Sequence, residues 1–345
     1  MPNNRYGACR PVAADRKNAL KDTFGRKIEY LRLSITDRCN LRCRYCMPEE
    51  GVESVGHGGI LSYEDLLRIA AAATRLGVSK IRVTGGEPLV RKGIVGFVKE
   101  LAALPGQPEI TLTTNGLLLD QMAADLKQAG LSRVNVSLDT LREDRFEQIT
   151  RRTGLQRVLD GIHRAAAVGL APLKINMVPI REVNADEIAD FGRLSLEHPW
   201  EIRFIEFMPV SGGLGYSAEN RFSAQEIMTE LESIGPLTPV ERSGPAGPAR
   251  LFRYRDSPGR VGVIPAISSH FCGECNRLRV TADGRIRPCL LCSDELDIRE
   301  ALRRNASDAE LEELLRAAVV AKPRQHRVGE KDYKEGSRGM QKIGG

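Results

Sequence analysis

Between Tyr30 and Phe207, six short β-rich runs alternate with segments of helical periodicity, and few folds accommodate that order. The runs are Tyr30–Ile35, Lys80–Thr84, Glu109–Thr114, Arg133–Leu138, Leu173–Val178 and Ile202–Phe207. Between them, apolar residues recur at helical spacing, as at Leu155, Val158, Leu159, Ile162 and Ala166. Ser62 with Asp65, Asn184 with Glu187 and Ser223 with Glu226 read as helix starts, each a short polar residue followed three positions on by a carboxylate. Strands joined through helical crossovers form a parallel sheet, and right-handed crossovers curve it toward an open barrel. The predicted fold class is therefore α/β, a partial (β/α)6 barrel of the TIM type over residues 28–210.

Outside that span the pattern changes. Residues 1–27 are polar and unpatterned and read as a flexible leader. Ser211–Gly215 is loop-like, and Gly235–Gly262 is rich in Gly and Pro, which predicts short antiparallel hairpins. Residues 211–321 are expected to form a smaller C-terminal domain, with a helical stretch from about Ile298 to Val320. Residues 322–345 form a basic tail ending Gly344-Gly345. No G-x-G-x-x-G follows the first run, which excludes a dinucleotide-binding Rossmann reading. The net charge of +6, from 51 basic and 45 acidic residues, is too diffuse for a nucleic-acid-binding face. It suits a phosphate pocket if the cations converge. No apolar run approaches the roughly 18 residues of a membrane span. The start lacks the apolar core of a signal peptide, so a cytoplasmic location is expected.

Eight cysteines in a reducing compartment read as metal ligands rather than disulfides. Cys9 stands alone and reads as a spare thiol. Cys39, Cys43 and Cys46 form a C-x3-C-x2-C run just after the first strand, at the barrel end where active-site loops gather. Three thiolates suit a four-iron, four-sulfur cluster with one iron free of protein ligands. A zinc site wants four ligands, for which His57 is a distant candidate. The second group, Cys272, Cys275, Cys289 and Cys292, is C-x2-C-x13-C-x2-C, and its spacing alone reads as a zinc ribbon.

The first cysteine run, with Tyr45 before its last member, resembles the signature of the radical S-adenosylmethionine superfamily. In that superfamily the open iron chelates the methionine end of the cofactor, whose cleavage yields a 5′-deoxyadenosyl radical. Three further stretches fit. Gly85-Gly86-Glu87-Pro88 implies Gly86 as a cofactor contact, Asn135-Val136-Ser137 implies Ser137, and Met208 matches the adenine contact together with the Tyr45 backbone. Without the resemblance, the glycines read as a turn and Met208 as core packing.

His270-Phe271-Cys272-Gly273-Glu274-Cys275-Asn276-Arg277-Leu278-Arg279 resembles the GTP 3′,8-cyclase family of molybdenum cofactor biosynthesis. The resemblance implies a second four-iron, four-sulfur cluster held by Cys272, Cys275 and Cys289, its open iron facing guanine. Cys292 departs from the family pattern and reads as a neighbouring thiol. The GTP contacts implied are Arg32, Arg82, Thr113, Lys174 and the segment Arg277, Leu278 and Arg279, with Arg203 a further candidate. Guanidinium forks suit phosphate oxygens, although each cation taken alone reads as pointing to solvent. Gly344-Gly345 resembles a family tail that reaches the active site, a frayed end being the alternative.

The resemblance spans residues 25–345 and implies a radical enzyme that removes hydrogen from C3′ of GTP and joins that carbon to C8. The product is 3′,8-cyclo-7,8-dihydro-GTP, the first intermediate of the molybdenum cofactor. It further implies two four-iron, four-sulfur clusters and S-adenosylmethionine as cofactors, an electron-donor protein and a downstream pterin-forming enzyme as partners, and admits a homodimer. Neither nucleic acid nor membrane is expected as a partner. Two readings compete. A peptide-modifying maturase with an auxiliary cluster would not need triphosphate-binding arginines, and a zinc-ribbon nucleic-acid-binding protein would carry zinc and a basic outer face.

Overall fold

The computed structural model describes residues 19–51, 56–210, 215–241, 247–330, 333 and 338–344. The barrel segment runs β1 (Tyr30–Ser34), α1 (Tyr63–Arg75), β2 (Lys80–Thr84), α2 (Ile94–Ala102), β3 (Glu109–Thr114), α3 (Leu119–Gln128), β4 (Arg133–Ser137), α4 (Glu143–Thr150), α5 (Leu155–Ala167), β5 (Lys174–Met177), α6 (Ile188–Glu197) and β6 (Glu201–Ile205). The C-terminal segment adds α7 (Ala224–Glu232), β7 (Leu237–Pro239), β8 (Arg250–Tyr254), β9 (Arg260–Ile264), β10 (Arg277–Val280), β11 (Arg285–Arg287), β12 (Leu296–Asp297), α8 (Arg299–Arg303), α9 (Asp308–Val320) and α10 (Met340–Ile343). All six expected strands form, and β1 to β6 pair in parallel in chain order.

The C-terminal hairpins have no sheet of their own. One continuous sheet runs β12-β11-β10-β1-β2-β3-β4-β5-β6-β9-β8-β7, open at both ends. β9 adds in parallel to β6 and β10 in parallel to β1, so both edges of the partial barrel are extended by the C-terminal segment. Each addition covers an edge whose N–H and C=O groups would otherwise need solvent.

Each barrel strand alternates, and the alternation is the reverse of a packed TIM interior. Leu31, Leu33, Ile81, Val83, Ile110, Leu112, Val134 and Val136 are buried on the outer face, in one core cluster with apolar residues of the helices. The inner face carries Tyr30, Arg32, Lys80, Arg82, Thr113, Asn135, Lys174 and Arg203, all lining one cavity. α5 shows how a helix closes the core: Leu155, Val158, Ile162 and Ala165 form its buried stripe. Burying each large apolar side chain of such a stripe contributes about 1.5–3 kcal/mol.

Ser62 and Ser223 form the expected capping boxes with Asp65 and Glu226. Asn184 stands at the start of the short 3-10 helix Ala185–Glu187 that leads into α6, as expected, but makes no side-chain capping bond. Its side chain accepts from the Ile180 amide and donates to the Asp139 and Val178 carbonyls, while Glu187 is taken by Thr140 and the Leu141 amide. The helical stretch expected from Ile298 to Val320 is two helices, broken at Asn305 in the left-handed region (φ 54°) and restarted by a Ser307–Glu310 capping box. The expected leader is corrected at its end. Leu20 is buried, and Arg26 donates to the carbonyls of Cys272, Pro323 and Arg324 at 2.6–2.9 Å, tying the start of the barrel to the second cysteine loop. Residues 1–18, with Cys9, and most of the Ser211–Gly215 loop lie outside the described residues. No described helix is long and apolar enough to cross a membrane.

Candidate active site

Inside the open barrel lies a cavity of about 570 Å³ that passes from one strand end to the other. Cys39, Cys43 and Cys46 follow the C-terminal end of β1 and line it there. Cys272 and Cys275 precede β10, which runs parallel to β1, and Cys289 follows the antiparallel β11. The second group therefore sits at the opposite end of the strands, separated from the first by about one strand length, on the order of 15 Å. Its neighbours Phe271, Asn276 and Leu290 reach the cavity wall.

At the first end, burial pushes the Cys39 thiol up to about 11 and, with Cys39 beside it, the Cys46 thiol up to about 12. Burial and Cys46 raise Cys43 as well. Thiols that disfavour one another's ionisation are stabilised as thiolates by bound metal cations, so these three fit an iron–sulfur cluster. Among the described residues, no three His, Cys, Asp or Glu side chains gather round one point as a single bound ion requires. In a cluster each thiolate reaches its own iron. Tyr45, Gly86, Ser137 and Met208, the four expected cofactor contacts, line the same cavity from the C-terminal ends of β1, β2, β4 and β6. The buried Asn135 and Asn176 Oδ1 atoms on the same inner face have no partner among the described residues, which fits a polar ligand.

Gly85 and Gly86 have a local reason to be glycine. A Cβ on Gly86 would lie 2.4 Å from the Arg38 carbonyl oxygen, and one on Gly85 2.6 Å from that of Thr36. The pair lets the segment leading into Cys39 lie flat on the second βα turn. Glu87 fixes that turn by accepting from the Leu89 amide (3.0 Å), the Thr114 hydroxyl (2.8 Å) and the Asn115 amide (2.7 Å). Burial outweighs those bonds and raises its carboxyl to about 7. Asn115 in turn donates to Asn40 and toward the Cys39 sulfur.

The other half of the cavity is cationic. Arg279, Arg32 and Arg82 stand in register on β10, β1 and β2, with Arg277, Tyr30 and Lys80 one inward step along. Burial and the Arg279 charge disfavour the Arg32 cation, and burial with Arg277 brings Arg279 down to about 10. Arg32 Nε and Arg277 Nε are buried without a partner among the described residues. Arg82 donates to Thr113 Oγ1 at 3.0 Å. Such a cluster is complementary to a polyanion.

Lys174 and Arg203 belong to a second set around Glu201, which binds Lys174 Nζ at 3.0 Å, Arg260 Nε at 2.8 Å and Arg203. Burial alone would raise Glu201, but the three cations hold it near 2. Lys174 nevertheless falls to about 7, because burial and Arg203 outweigh the pull of that carboxylate.

Of the expected GTP contacts, Arg32, Arg82, Thr113, Lys174, Arg277 and Arg279 line the cavity, as does Arg203. Leu278 does not. Its side chain is fully buried in the hydrophobic core, as alternation along β10 requires. Cys292 adjoins Cys289, and its thiol hydrogen bond holds the Cys289 thiol low while Cys292 itself stays protonated. The tail enters the site: Met340 and Gln341 line the cavity, and the Gly344 carbonyl accepts from Arg279 at 3.3 Å. Gly344 is left-handed (φ 77°) and packs against Ser34 and Thr84, where a Cβ would meet Ser34 at 2.9 Å. Gly345 and the His57 side chain lie outside the described residues.

Two family models match the chain. The model described as Radical SAM superfamily matches residues 33–194, and the one described as Molybdenum Cofactor Synthesis C matches residues 200–328. The GTP 3′,8-cyclase of Geobacter sulfurreducens is 52% identical over 331 residues, covering 94% of this chain and 99% of that protein. The GTP 3′,8-cyclase of Moorella thermoacetica is 50% identical, covering 94% of this chain and 100% of that protein. This chain belongs to the GTP 3′,8-cyclase family. Among solved structures, Streptococcus suis SuiB bound to S-adenosylmethionine superposes with a TM-score of 0.57 over 84% of this chain and 68% of its own. At 17% identity that likeness shows the radical enzyme fold alone. For a GTP 3′,8-cyclase family member, the residues missed in the sequence are Tyr30, Glu87, Asn115 and Glu201. Only Glu87 and Asn115 carried a signal, each lying in a turn just after a strand end.

Proposed function

We infer that this chain is a radical S-adenosylmethionine GTP 3′,8-cyclase, converting GTP to 3′,8-cyclo-7,8-dihydro-GTP in the first step of molybdenum cofactor biosynthesis. The observation that carries the reading is a single cavity with a thiol trio at one end, the neighbours of the second thiol group (Phe271, Asn276 and Leu290) at the other, and a cluster of arginines between, of which Arg32 and Arg277 have a buried Nε with no partner among the described residues. Cys39, Cys43 and Cys46 would hold one four-iron, four-sulfur cluster and Cys272, Cys275 and Cys289 the other. Bound there, the first cluster and S-adenosylmethionine supply the radical that removes the C3′ hydrogen.

The chain's own residues do the positioning. Tyr45, Gly86, Ser137 and Met208 would orient the cofactor, and Arg32, Arg82, Thr113, Lys174, Arg277 and Arg279 would hold the triphosphate. Fixing both partners in one channel brings C3′ within reach of the cofactor and C8 within reach of C3′. The tail residues Met340 and Gln341 help to exclude water from that channel. A reduced electron-donor protein, a pterin-forming enzyme acting on the product and a cytoplasmic location complete the proposal. The triple variant Cys39→Ala, Cys43→Ala, Cys46→Ala, reconstituted anaerobically, should keep about half the iron of the wild type and form no 5′-deoxyadenosine. Continued 5′-deoxyadenosine formation by that variant would reject the assignment of the first cluster.

A further inference from the structure

Tyr30 stands at the centre of the cationic half of the cavity. It opens β1 in register with Arg277 on β10 and Lys80 on β2. Its ring lies 5.3 Å from Lys80 Nζ, 5.7 Å from the Arg82 guanidinium carbon and 6.0 Å from that of Arg277. Arg82 Nε donates to the phenol oxygen. That bond leaves the phenol's own hydrogen free, and among the described residues nothing accepts it. A hydroxyl oriented by one arginine, with its proton open to a cavity where Arg32, Lys80, Arg203, Arg277 and Arg279 also face it, is placed to donate to an anionic oxygen.

We propose that Tyr30 is a further substrate-binding residue, donating its phenol hydrogen to a phosphate oxygen while its ring holds Arg82 and Arg277 in place. The proposal rests on the triphosphate reading of this cavity and adds a donor that must be neutral to work. The charged groups facing it are Arg32 on its own strand, Lys80 and Arg82 on β2, Arg277 and Arg279 on β10, and Arg203 on β6. Glu109 at the same rim is engaged by Lys80 and Arg133. Burial would raise the phenol, but Arg82, Arg32, Lys80 and Arg277 bring it down to about 7. Below that pH the phenol donates. Above it the phenolate cannot donate, and its charge competes with phosphate for the same cations. Binding of the substrate at neutral pH therefore takes up a proton at Tyr30.

The test is GTP affinity of the two-cluster holoenzyme, without S-adenosylmethionine, from about pH 6 to about pH 8.5, in wild type and Tyr30→Phe. Lys174, which also titrates near 7, and the substrate's own phosphates contribute equally to both proteins, so the difference between the curves isolates the phenol. At the acid end Tyr30→Phe should bind about tenfold more weakly, and the gap should close as pH rises. Calorimetry in two buffers of different ionisation enthalpy should show more proton uptake by wild type than by the variant. Equal affinities throughout, or a gap that does not change with pH, would overturn the proposal and leave the GTP reading standing. Wild type that binds no GTP would overturn both. Fluorotyrosine incorporation, which lowers the phenol's pKa without reshaping it, should move the wild-type midpoint to lower pH; an unmoved midpoint would also overturn the proposal.

Discussion

Arg277 and Arg279 take alternate positions on β10 and both face the cavity, with Leu278 between them turned into the core. Removing either guanidinium deletes a charge-assisted contact that typically contributes about 1.5–3 kcal/mol. Arg277→Ala and Arg279→Ala should each weaken GTP binding roughly tenfold to a hundredfold while iron content is unchanged, measured by equilibrium binding and metal analysis. Unaltered affinity in both would return them to a structural role. The two arginines were legible as a motif beside Cys275, but the motif's contiguity drew in Leu278, and only the two-residue period of a strand separates it. Tyr30 left no trace in the sequence, because an aromatic opening a β-rich run reads as core. Glu201 was equally silent: its role depends on Lys174, Arg203 and Arg260 converging from three strands.

At the scale of elements, the join between β6 and the C-terminal segment turns on Glu206, which is fully buried. It accepts from the Ala224 amide that starts α7 (2.7 Å), from the Ile267 and Ser268 amides after β9 (2.7 and 2.8 Å), and from the Ser268 hydroxyl. Three backbone donors thus depend on one carboxylate two residues before Met208. Glu206→Ala strands them, at about 1–3 kcal/mol each, and should lower thermal stability measurably and weaken S-adenosylmethionine binding through the displaced Met208 loop. A variant with wild-type melting and cofactor affinity would contradict this. The six barrel strands were legible from β-rich runs between helical periods, and the Ser62 and Ser223 caps from their three-residue spacing to a carboxylate. Asn184 does mark a helix start, the short 3-10 turn Ala185–Glu187 that runs into α6, but tertiary partners claim both its side chain and that of Glu187, so no capping box forms.

Across the whole molecule, the two cysteine groups are held apart by the length of the strands, with one channel running between their ends. That arrangement follows from β10 running parallel to β1, a pairing between residues far apart in the chain that no local pattern announces. The sequence alone suggested a barrel with a smaller C-terminal domain, which a family model matches as its own unit; what it did not announce is that the strands of that segment complete the edges of one continuous sheet. The same geometry reverses the usual division of a TIM barrel, since cations at the N-terminal strand ends belong to the site as much as the cysteine loop at the C-terminal ends. The central claim is that this channel presents the ribose C3′ of GTP to a radical formed at the Cys39–Cys46 loop. The most direct test is a single-turnover reaction with GTP deuterated at C3′, reading the mass of the 5′-deoxyadenosine formed. The account predicts that the deuterium passes into 5′-deoxyadenosine as the cyclised nucleotide appears. Unlabelled 5′-deoxyadenosine, with the deuterium left in unreacted GTP, would contradict it.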